Sequence, residues 1–202
     1  DGNVTIGSDN MADALDFWGS FYQNGYCPSS LQSGPWSIDN IANGVAAMQI
    51  GGTYMINAAE EYNKDGHNIG VVPLPTPEGK DAVTVAGGQM LGVSSQSKDV
   101  DAAADFIFWC FGSDDTTNAV KWCTETKFAY PVRQSIIDKN KDLFQEGIKA
   151  TFTEFYDTAR PEPQYPTEVS DIMGDTLQAV MFGGSSGEEA AKDAQEKIEA
   201  LK

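Results

Sequence analysis

Two apolar runs of the chain each end at a pair of adjacent glycines, and this arrangement constrains the fold more than any other feature. The stretch NGVAAMQIGGTYMI carries the run 45–50 before Gly51-Gly52, and the run 83–86 precedes Gly87-Gly88. Short apolar runs that are bounded by glycine or proline are typical of buried strands. We therefore predict strands at residues 45–50, 69–72, 83–86 and 90–94.

Segments with helical periodicity lie between and after these runs. Residues 11–22 and 99–111 each place apolar side chains on one helix face, and Gly112 is the expected C-cap of the second. Further helices are predicted at 38–42, through residue 62, at 115–124, from 133 to the ARPEPQYP segment, and twice more before the C terminus. The last begins with the capping box Ser186-Gly187-Glu188-Glu189 and is expected to bury residues 190, 194, 198 and 201.

Tryptophans on apolar helix faces are predicted to be core residues: Trp18, Trp109 and Trp122. Strands and helices that intermix without a repeat predict an α/β fold.

The charge of the chain narrows the class of partner. It has 13 Lys and Arg against 30 Asp and Glu, a formal net charge of −17 at pH 7. Such a field repels nucleic acid phosphates and anionic lipid headgroups, so neither is an expected partner. A neutral or cationic small molecule remains compatible with it. No apolar stretch approaches the ~20 residues that cross a bilayer.

The residues of common catalytic and metal sites do not occur here in the patterns that such sites need. His67 is the only histidine and lies in the polar turn NKDGHN, so a Ser-His-Asp triad is not expected. The three cysteines match no zinc spacing, and the sequence leaves open whether Cys110 and Cys123 pair. Gly87 and Gly92 have the outer spacing of a P-loop, but Val93 stands in the position of its lysine. Residues 138–149 lack the turn glycine and final Glu of a calcium loop. We predict no catalytic residue, no metal and no cofactor.

The glycine pairs indicate where a ligand would bind. Glycine at a strand end lets a ligand approach the backbone closely, and strand ends are where open α/β sheets bind ligands. Tyr54 follows the first pair and offers a flat apolar face that suits the C–H face of a sugar ring or another neutral solute. The alternative is that Tyr54 packs as the first core residue of the next helix.

Several longer stretches carry a family resemblance when they are taken in order. They are TIGSDNMADALDFWGSFYQNGY, WSIDNIANGVAAMQIGGTYMI, IGVVPLPTPEGK, VAGGQMLGVSSQSKDVDAAADFIFWCF and YPTEVSDIMGDTLQAVMFGGSSGEEAAKDAQEKIEAL. In this order and spacing they resemble the extracellular solute-binding proteins of bacterial ABC importers (family 1), in the carbohydrate-binding branch that includes maltose-binding protein. The resemblance covers only the C-terminal half of such a protein, and it implies that roughly as many residues again precede Asp1.

The resemblance implies a periplasmic-binding-protein-like fold of two α/β lobes that are joined by hinge strands, with the solute in the cleft between them. Residues 1–86 would form the first part of the C-terminal lobe. Residues 87–131 would cross the hinge and supply helices of the N-terminal lobe. Residues 132–202 would complete the C-terminal lobe.

The resemblance also implies a set of ligand-binding residues. Tyr54 holds the place of the aromatic that stacks on the sugar, where many members carry Trp, and Trp36 matches another aromatic that faces the cleft. Residues 87–89 lie at the hinge crossing, where backbone amides and a polar side chain face the ligand. The segment that enters the penultimate helix often adds contacts in the family. The expected ligand-binding residues are therefore Tyr54, Trp36, Gly87, Gly88, Gln89, Arg160 and Tyr165.

The function that the resemblance implies is capture of a small-molecule carbohydrate for an ABC importer, without catalysis or cofactor. The partners would be permease subunits in the membrane. The location would be the extracellular face of the cytoplasmic membrane, through a lipid anchor, or the periplasm. Two other classes stay open: a carbohydrate-active enzyme with a pair of carboxylates, and an interaction module that keeps only this fold. A polyol or another neutral solute also stays open as the ligand.

A chain that carries one half of this fold would leave apolar helix faces without their partner. Ile107, Phe111 and Trp122 are expected on such a face, so self-association of the chain is predicted.

Overall fold

The computed structural model describes residues 4–28, 30–126, 128–155 and 158–201. Two compact units divide the chain: Asp1–Leu31 with Pro163–Lys202, and Gln32–Glu162. The helices and strands are α1 (Asp9–Gln23), α2 (Asp39–Ala42), a 3₁₀ turn (Thr53–Met55), α3 (Ile56–Lys64), β1 (Thr84–Ala86), α4 (Val100–Ile107), α5 (Thr117–Lys121), α6 (Gln134–Lys139), α7 (Lys141–Phe144), α8 (Ile148–Glu154), β2 (Ala159–Pro161), α9 (Thr167–Met181) and α10 (Gly187–Glu199). Helices α4 and α5 each continue into a π-helical turn, at Phe108–Gly112 and Trp122–Thr126.

The first unit is a packing of α1, α9 and α10 around a small apolar core. Its buried residues are Leu15, Val180, Ala190 and Ala191. The predicted capping box is present, because the Ser186 hydroxyl accepts from the Glu189 amide and the Glu189 carboxylate accepts from the Ser186 amide. Residues 190 and 194 are buried as predicted, but Leu201 is 52% exposed because it lies beyond the end of α10.

The second unit contains two apolar clusters. The larger buries seven residues from α-helical, π-helical and loop segments: Ile56, Ala119, Cys123, Phe128, Ile136, Ile137 and Phe144. The smaller buries Ile38, Met55 and Ala59 beneath α2 and α3. Met55 at the end of the 3₁₀ turn and Ile56 directly after it therefore anchor the segment that carries Tyr54.

Only one of the predicted strands pairs within the described residues. β1 lies in parallel with β2, with Thr84 opposite Ala159 and Ala86 opposite Pro161. The predicted strands at 45–50, 69–72 and 90–94 are not strands in the described part of the chain, where Met48 and Met90 are 83% and 98% exposed. A strand needs a hydrogen-bonded neighbour, which an apolar run does not specify. β2 was missed because its proline-rich segment reads as a break.

The three tryptophans predicted to be core residues are exposed, so that prediction is wrong. Trp18, Trp109 and Trp122 are 42%, 59% and 51% exposed. The rings that contact Trp18 and Trp109 come from their own helices: Phe17 and Phe21 for the first, Phe106 for the second. A periodic apolar face predicts burial only where a second layer covers it.

All three cysteines are free, which answers the question that the sequence left open. Cys27 is exposed, Cys110 is half-buried and Cys123 is buried, where desolvation raises the pKa of its thiol. No helix in the described ranges combines the length and the apolar character that a bilayer crossing requires.

Candidate ligand-binding site

Trp36 and Tyr54, predicted separately as ligand-binding aromatics, contact each other. Their ring centroids lie 6.3 Å apart with an angle of 73° between the ring planes, an edge-to-face arrangement that aromatic pairs favour. Trp36 is 73% exposed and Tyr54 is 37% exposed. The buried residues here are Met55, at the end of the turn, and Ile56, the first residue of α3, so Tyr54 is not a core residue of α3. Its role in binding stays a prediction.

The glycine pair before Tyr54 is needed for close approach rather than for an unusual backbone. Gly52 has φ −133° and ψ −178°, a conformation that any residue adopts. A Cβ on Gly52 would lie 2.7 Å from Cε1 of Tyr54, and a Cβ on Gly51 would clash with the sulfur of Met55. Gly52 therefore lets the Tyr54 ring fold against the backbone, while Gly51 lets Met55 reach the core.

Trp36 stands at the corner of a tight turn. The amide of Ser37 donates to the carbonyl of Gly34 at 3.0 Å, which makes Pro35 and Trp36 the two central residues of a β-turn. Proline favours the first central position of such turns because its φ is already fixed. The turn holds the indole out from the backbone, where it is largely exposed.

Two amide side chains donate hydrogen bonds to the backbone carbonyls of this turn. The Asn40 side chain, 1% exposed, donates from Nδ2 to the carbonyls of Gly34 and Ser37, each at 3.1 Å. The Gln49 side chain donates from Nε2 to the carbonyl of Pro35 at 2.8 Å. No sequence pattern singles out either residue: Gln49 is a lone amide in the apolar run 45–50, and Asn40 lies in the polar stretch SIDN.

A hydrogen bond between the side chains of Asp39 and Tyr62 links α2 to α3. The hydroxyl of Tyr62 donates to Oδ1 of Asp39 at 2.8 Å, and the Asp39 amide donates to Oγ of Ser37 at 3.2 Å. The hydrogen bond from the Tyr62 hydroxyl is the largest cause that lowers the pKa of the Asp39 carboxyl below its ordinary value, and a hydrogen bond between this carboxyl and the Ser37 side chain is the next. The hydrogen bond to Asp39 raises the pKa of Tyr62. His67 is exposed, as expected, and meets the Tyr62 ring edge to face at 5.1 Å.

The predicted hinge residues form an exposed stretch directly after β1. A Cβ on Gly88 would meet nothing within 4 Å, and one on Gly87 would lie 3.0 Å from Oε2 of Glu162. Gln89 is exposed beside them. The strand register sets Arg160 opposite Val85, so the parallel pair brings Arg160 close to the hinge stretch despite their separation in sequence.

The structure thus gathers the expected residues into two groups within the second unit. One is the Trp36–Tyr54 pair, and the other is residues 87–89 with Arg160. Among the described residues, no hydrogen bond or ring contact joins the two groups. Tyr165 is 63% exposed, directly before the Pro166 N-cap of α9, and belongs to the first unit.

Other features of the described residues offer little chemistry. They bring no three of His, Cys, Asp and Glu together as a metal site. A shallow groove of about 450 Å³ lies between residues 91–97 and α4, and none of the expected ligand-binding residues lines it.

The comparisons with known proteins define the class. A model of bacterial extracellular solute-binding proteins matches residues 1–154. Among solved structures, the sugar-binding protein MalE from the phytopathogen Xanthomonas citri is similar, with a TM-score of 0.70 at 20% sequence identity. The match covers 96% of this chain and 49% of that chain, so the chain spans about half the length of the matched structure.

The chain has the fold of the periplasmic binding proteins, as the sequence predicts. It belongs to the family of bacterial extracellular solute-binding proteins. The family and the matched structure are binding proteins rather than enzymes, in agreement with the prediction that the chain has no catalytic function. Members of this family are extracellular proteins.

Proposed function

We propose that the chain is the C-terminal half of the substrate-capture subunit of an ABC importer, and that its solute is a carbohydrate. The observation that carries the proposal is the Trp36–Tyr54 pair, two exposed rings that meet on the family's solute-binding scaffold. The matched MalE is a sugar-binding protein, which supports the same class of solute.

The chemistry of the pair suits a sugar ring. Flat aromatic faces stack on the apolar C–H faces of sugars, and polar groups around them bind the hydroxyls. Residues 87–89, Arg160 and Tyr165 are the proposed polar and additional contacts of this half. The net charge of −17 favours a neutral sugar over an anionic one.

Capture would work through closure of two lobes around the solute. Residues 87–131 would cross to the other lobe, and the remaining half of the protein would supply the second wall of the cleft. A solute that contacts both lobes shifts the hinge equilibrium toward the closed state. The closed form would then dock on the permease subunits, with the protein held at the membrane by a lipid anchor or kept in the periplasm.

Calorimetric titration of the full-length protein tests the solute class. The panel is maltotriose, cellobiose, raffinose, mannitol and the anionic galacturonate, and each mixture is analysed by chromatography after incubation. The proposal predicts that at least one neutral oligosaccharide binds without conversion and that galacturonate does not bind. Hydrolysis of an oligosaccharide would instead support the carbohydrate-active enzyme, and preferential binding of mannitol would replace sugar by polyol.

A further inference from the structure

We infer that Gln49 and Asn40 are positioning residues that fix the indole of Trp36 against Tyr54. The inference rests on the proposed function, because it concerns the geometry of the proposed sugar platform. Neither side chain is expected to touch the solute. They act on the backbone of the turn that carries Trp36.

The two amides take most of the carbonyls in this turn. The Gly34 and Ser37 carbonyls accept from Asn40, and the Pro35 carbonyl accepts from Gln49. A carbonyl of a central turn residue has no partner inside the turn itself, so Gln49 supplies the bond that the Pro35 carbonyl otherwise lacks. The peptide plane between Pro35 and Trp36 is thereby held from outside the turn.

Gln49 also ties the two aromatic segments together. It lies just before Gly51-Gly52 and Tyr54, while its amide bonds to the residue before Trp36. The amide of Ala46 donates to the carbonyl of Asn40 at 3.0 Å, which fixes the start of the same segment. The relative placement of the two rings therefore depends on hydrogen bonds between residues 34–40 and 46–49.

The placement of these two amides lowers the stability of the fold. In the described residues, Oδ1 of Asn40 and Oε1 of Gln49 are buried and have no hydrogen-bond partner. A buried polar atom without a partner costs free energy, and apolar side chains of similar shape avoid that cost. Both amides direct their NH₂ groups to the same turn, which is the arrangement that a role in positioning Trp36 requires.

The test labels the full-length protein with 5-fluorotryptophan and follows the resonance of Trp36, which is assigned by its loss in Trp36→Phe. Gln49→Glu keeps the shape of the side chain but replaces the donor by an acceptor. It should shift the Trp36 resonance and leave those of Trp18, Trp109 and Trp122 in place. Gln145→Glu, which makes the same charge change at an exposed glutamine, should move none of them.

Binding of the tightest oligosaccharide from the panel above completes the test. Gln49→Glu should weaken it at least about fivefold, the low end for loss of one stacked aromatic. In a Trp36→Ala background the same change should have no further effect. Gln49→Leu, which adds no charge, should behave like Gln49→Glu and serves if that variant folds poorly.

The outcomes separate this inference from the proposed function. An unchanged Trp36 resonance in both Gln49 variants, or a full additional loss of binding in the Trp36→Ala background, would overturn the positioning role. If Trp36→Ala itself leaves binding unchanged, or no oligosaccharide binds, the proposed site fails, while the fluorine spectrum still decides whether Gln49 positions Trp36.

Discussion

The indole of Trp36 meets the phenol ring of Tyr54 edge to face, with ring centroids 6.3 Å apart. The two residues come from separate stretches, the GPWS turn and the GGTYM turn, and each stretch is anchored in the same small cluster by Ile38 and Met55. Because both stretches pack into this cluster, the positions of the two rings are fixed relative to each other.

Gly88→Val should weaken sugar binding by the full-length protein while leaving its free energy of unfolding nearly unchanged. A Cβ on Gly88 would meet nothing within 4 Å, so the fold tolerates a side chain there, whereas a β-branched group would block approach of a solute to the backbone. Gly70→Val is the matched control, because Gly70 is equally open. Calorimetric isotherms and urea unfolding compare them, and a normal isotherm for Gly88→Val would remove the hinge stretch from the site.

Gly187→Ala should destabilise the first unit by about 1–3 kcal/mol, the usual cost of overpacking. A Cβ on Gly187 would clash with the carbonyl oxygen of Ala12 and lie 2.7 Å from Cγ of Asp16, whose carboxylate accepts from the Gly187 amide at 2.6 Å. Gly174→Ala, in an open position of α9, should instead stabilise by about 1 kcal/mol through helix propensity. Urea unfolding measures both, and equal effects would refute the close approach of α1 and α10.

Tyr62→Phe should make the free energy of unfolding depend less on pH in the acid range. The pKa of Asp39 is lowered in the folded state, so its contribution is present above the unfolded pKa of 3.8 and is lost as the pH falls through the lower folded pKa. Without the Tyr62 hydroxyl, the largest cause of this lowering disappears. Unfolding curves from pH 5 downward should therefore converge for wild type and Tyr62→Phe. Tyr26→Phe, at an exposed tyrosine, should have the same free energy of unfolding as the wild type at every pH. If the difference between wild type and Tyr62→Phe does not change with pH, the Tyr62 hydroxyl does not lower the pKa of Asp39.

The chain of 202 residues on its own should self-associate and bind the sugar far more weakly than the full-length protein. Of the residues expected on the unpartnered face, Trp122 is 51% exposed, whereas Ile107 and Phe111 are half-buried and Phe111 packs against the larger cluster. The exposed apolar surface is formed instead by Phe106, Phe108 and Trp109, which are 60%, 71% and 59% exposed, together with Trp122, and apolar surface of this extent favours association. Phe108→Asp should reduce the mass seen by light scattering more than Phe182→Asp, a change at a comparably exposed phenylalanine of the other unit. A monodisperse monomer with full affinity would contradict the predicted division of the site between two halves.

The parts of the fold that depend on local sequence were predictable. The periodicity of residues 11–22 and the Ser186–Glu189 capping box yield helices with nearly the predicted bounds, because the interactions concerned span only a few residues. Strand pairing is not local. The apolar run at 45–50 has no ladder partner among the described residues, and the pairing of β1 with β2 joins segments far apart in sequence.

The sequence predicts the two aromatic residues of the candidate site but not the residues that support them. Trp36 and Tyr54 follow from the family motifs, and their exposure agrees with that reading. Their contact depends on Gln49 and on Asn40, whose hydrogen bonds go to carbonyls of a turn that no local pattern reveals. Exposure of Trp109 likewise depends on what covers α4, which periodicity does not specify.

The most direct test titrates the tightest oligosaccharide of the panel into full-length wild type, Trp36→Ala and Tyr54→Ala, with the exposed Tyr26→Ala as control, and records thermal unfolding of each. Loss of either ring should weaken binding by about 1–3 kcal/mol, as for aromatic stacking on flat ligands, with little change in Tm. Tyr26→Ala should change neither quantity. A sharp drop in Tm with unchanged affinity for Tyr54→Ala would contradict the account, because Tyr54 would then be part of the core and not of a sugar site.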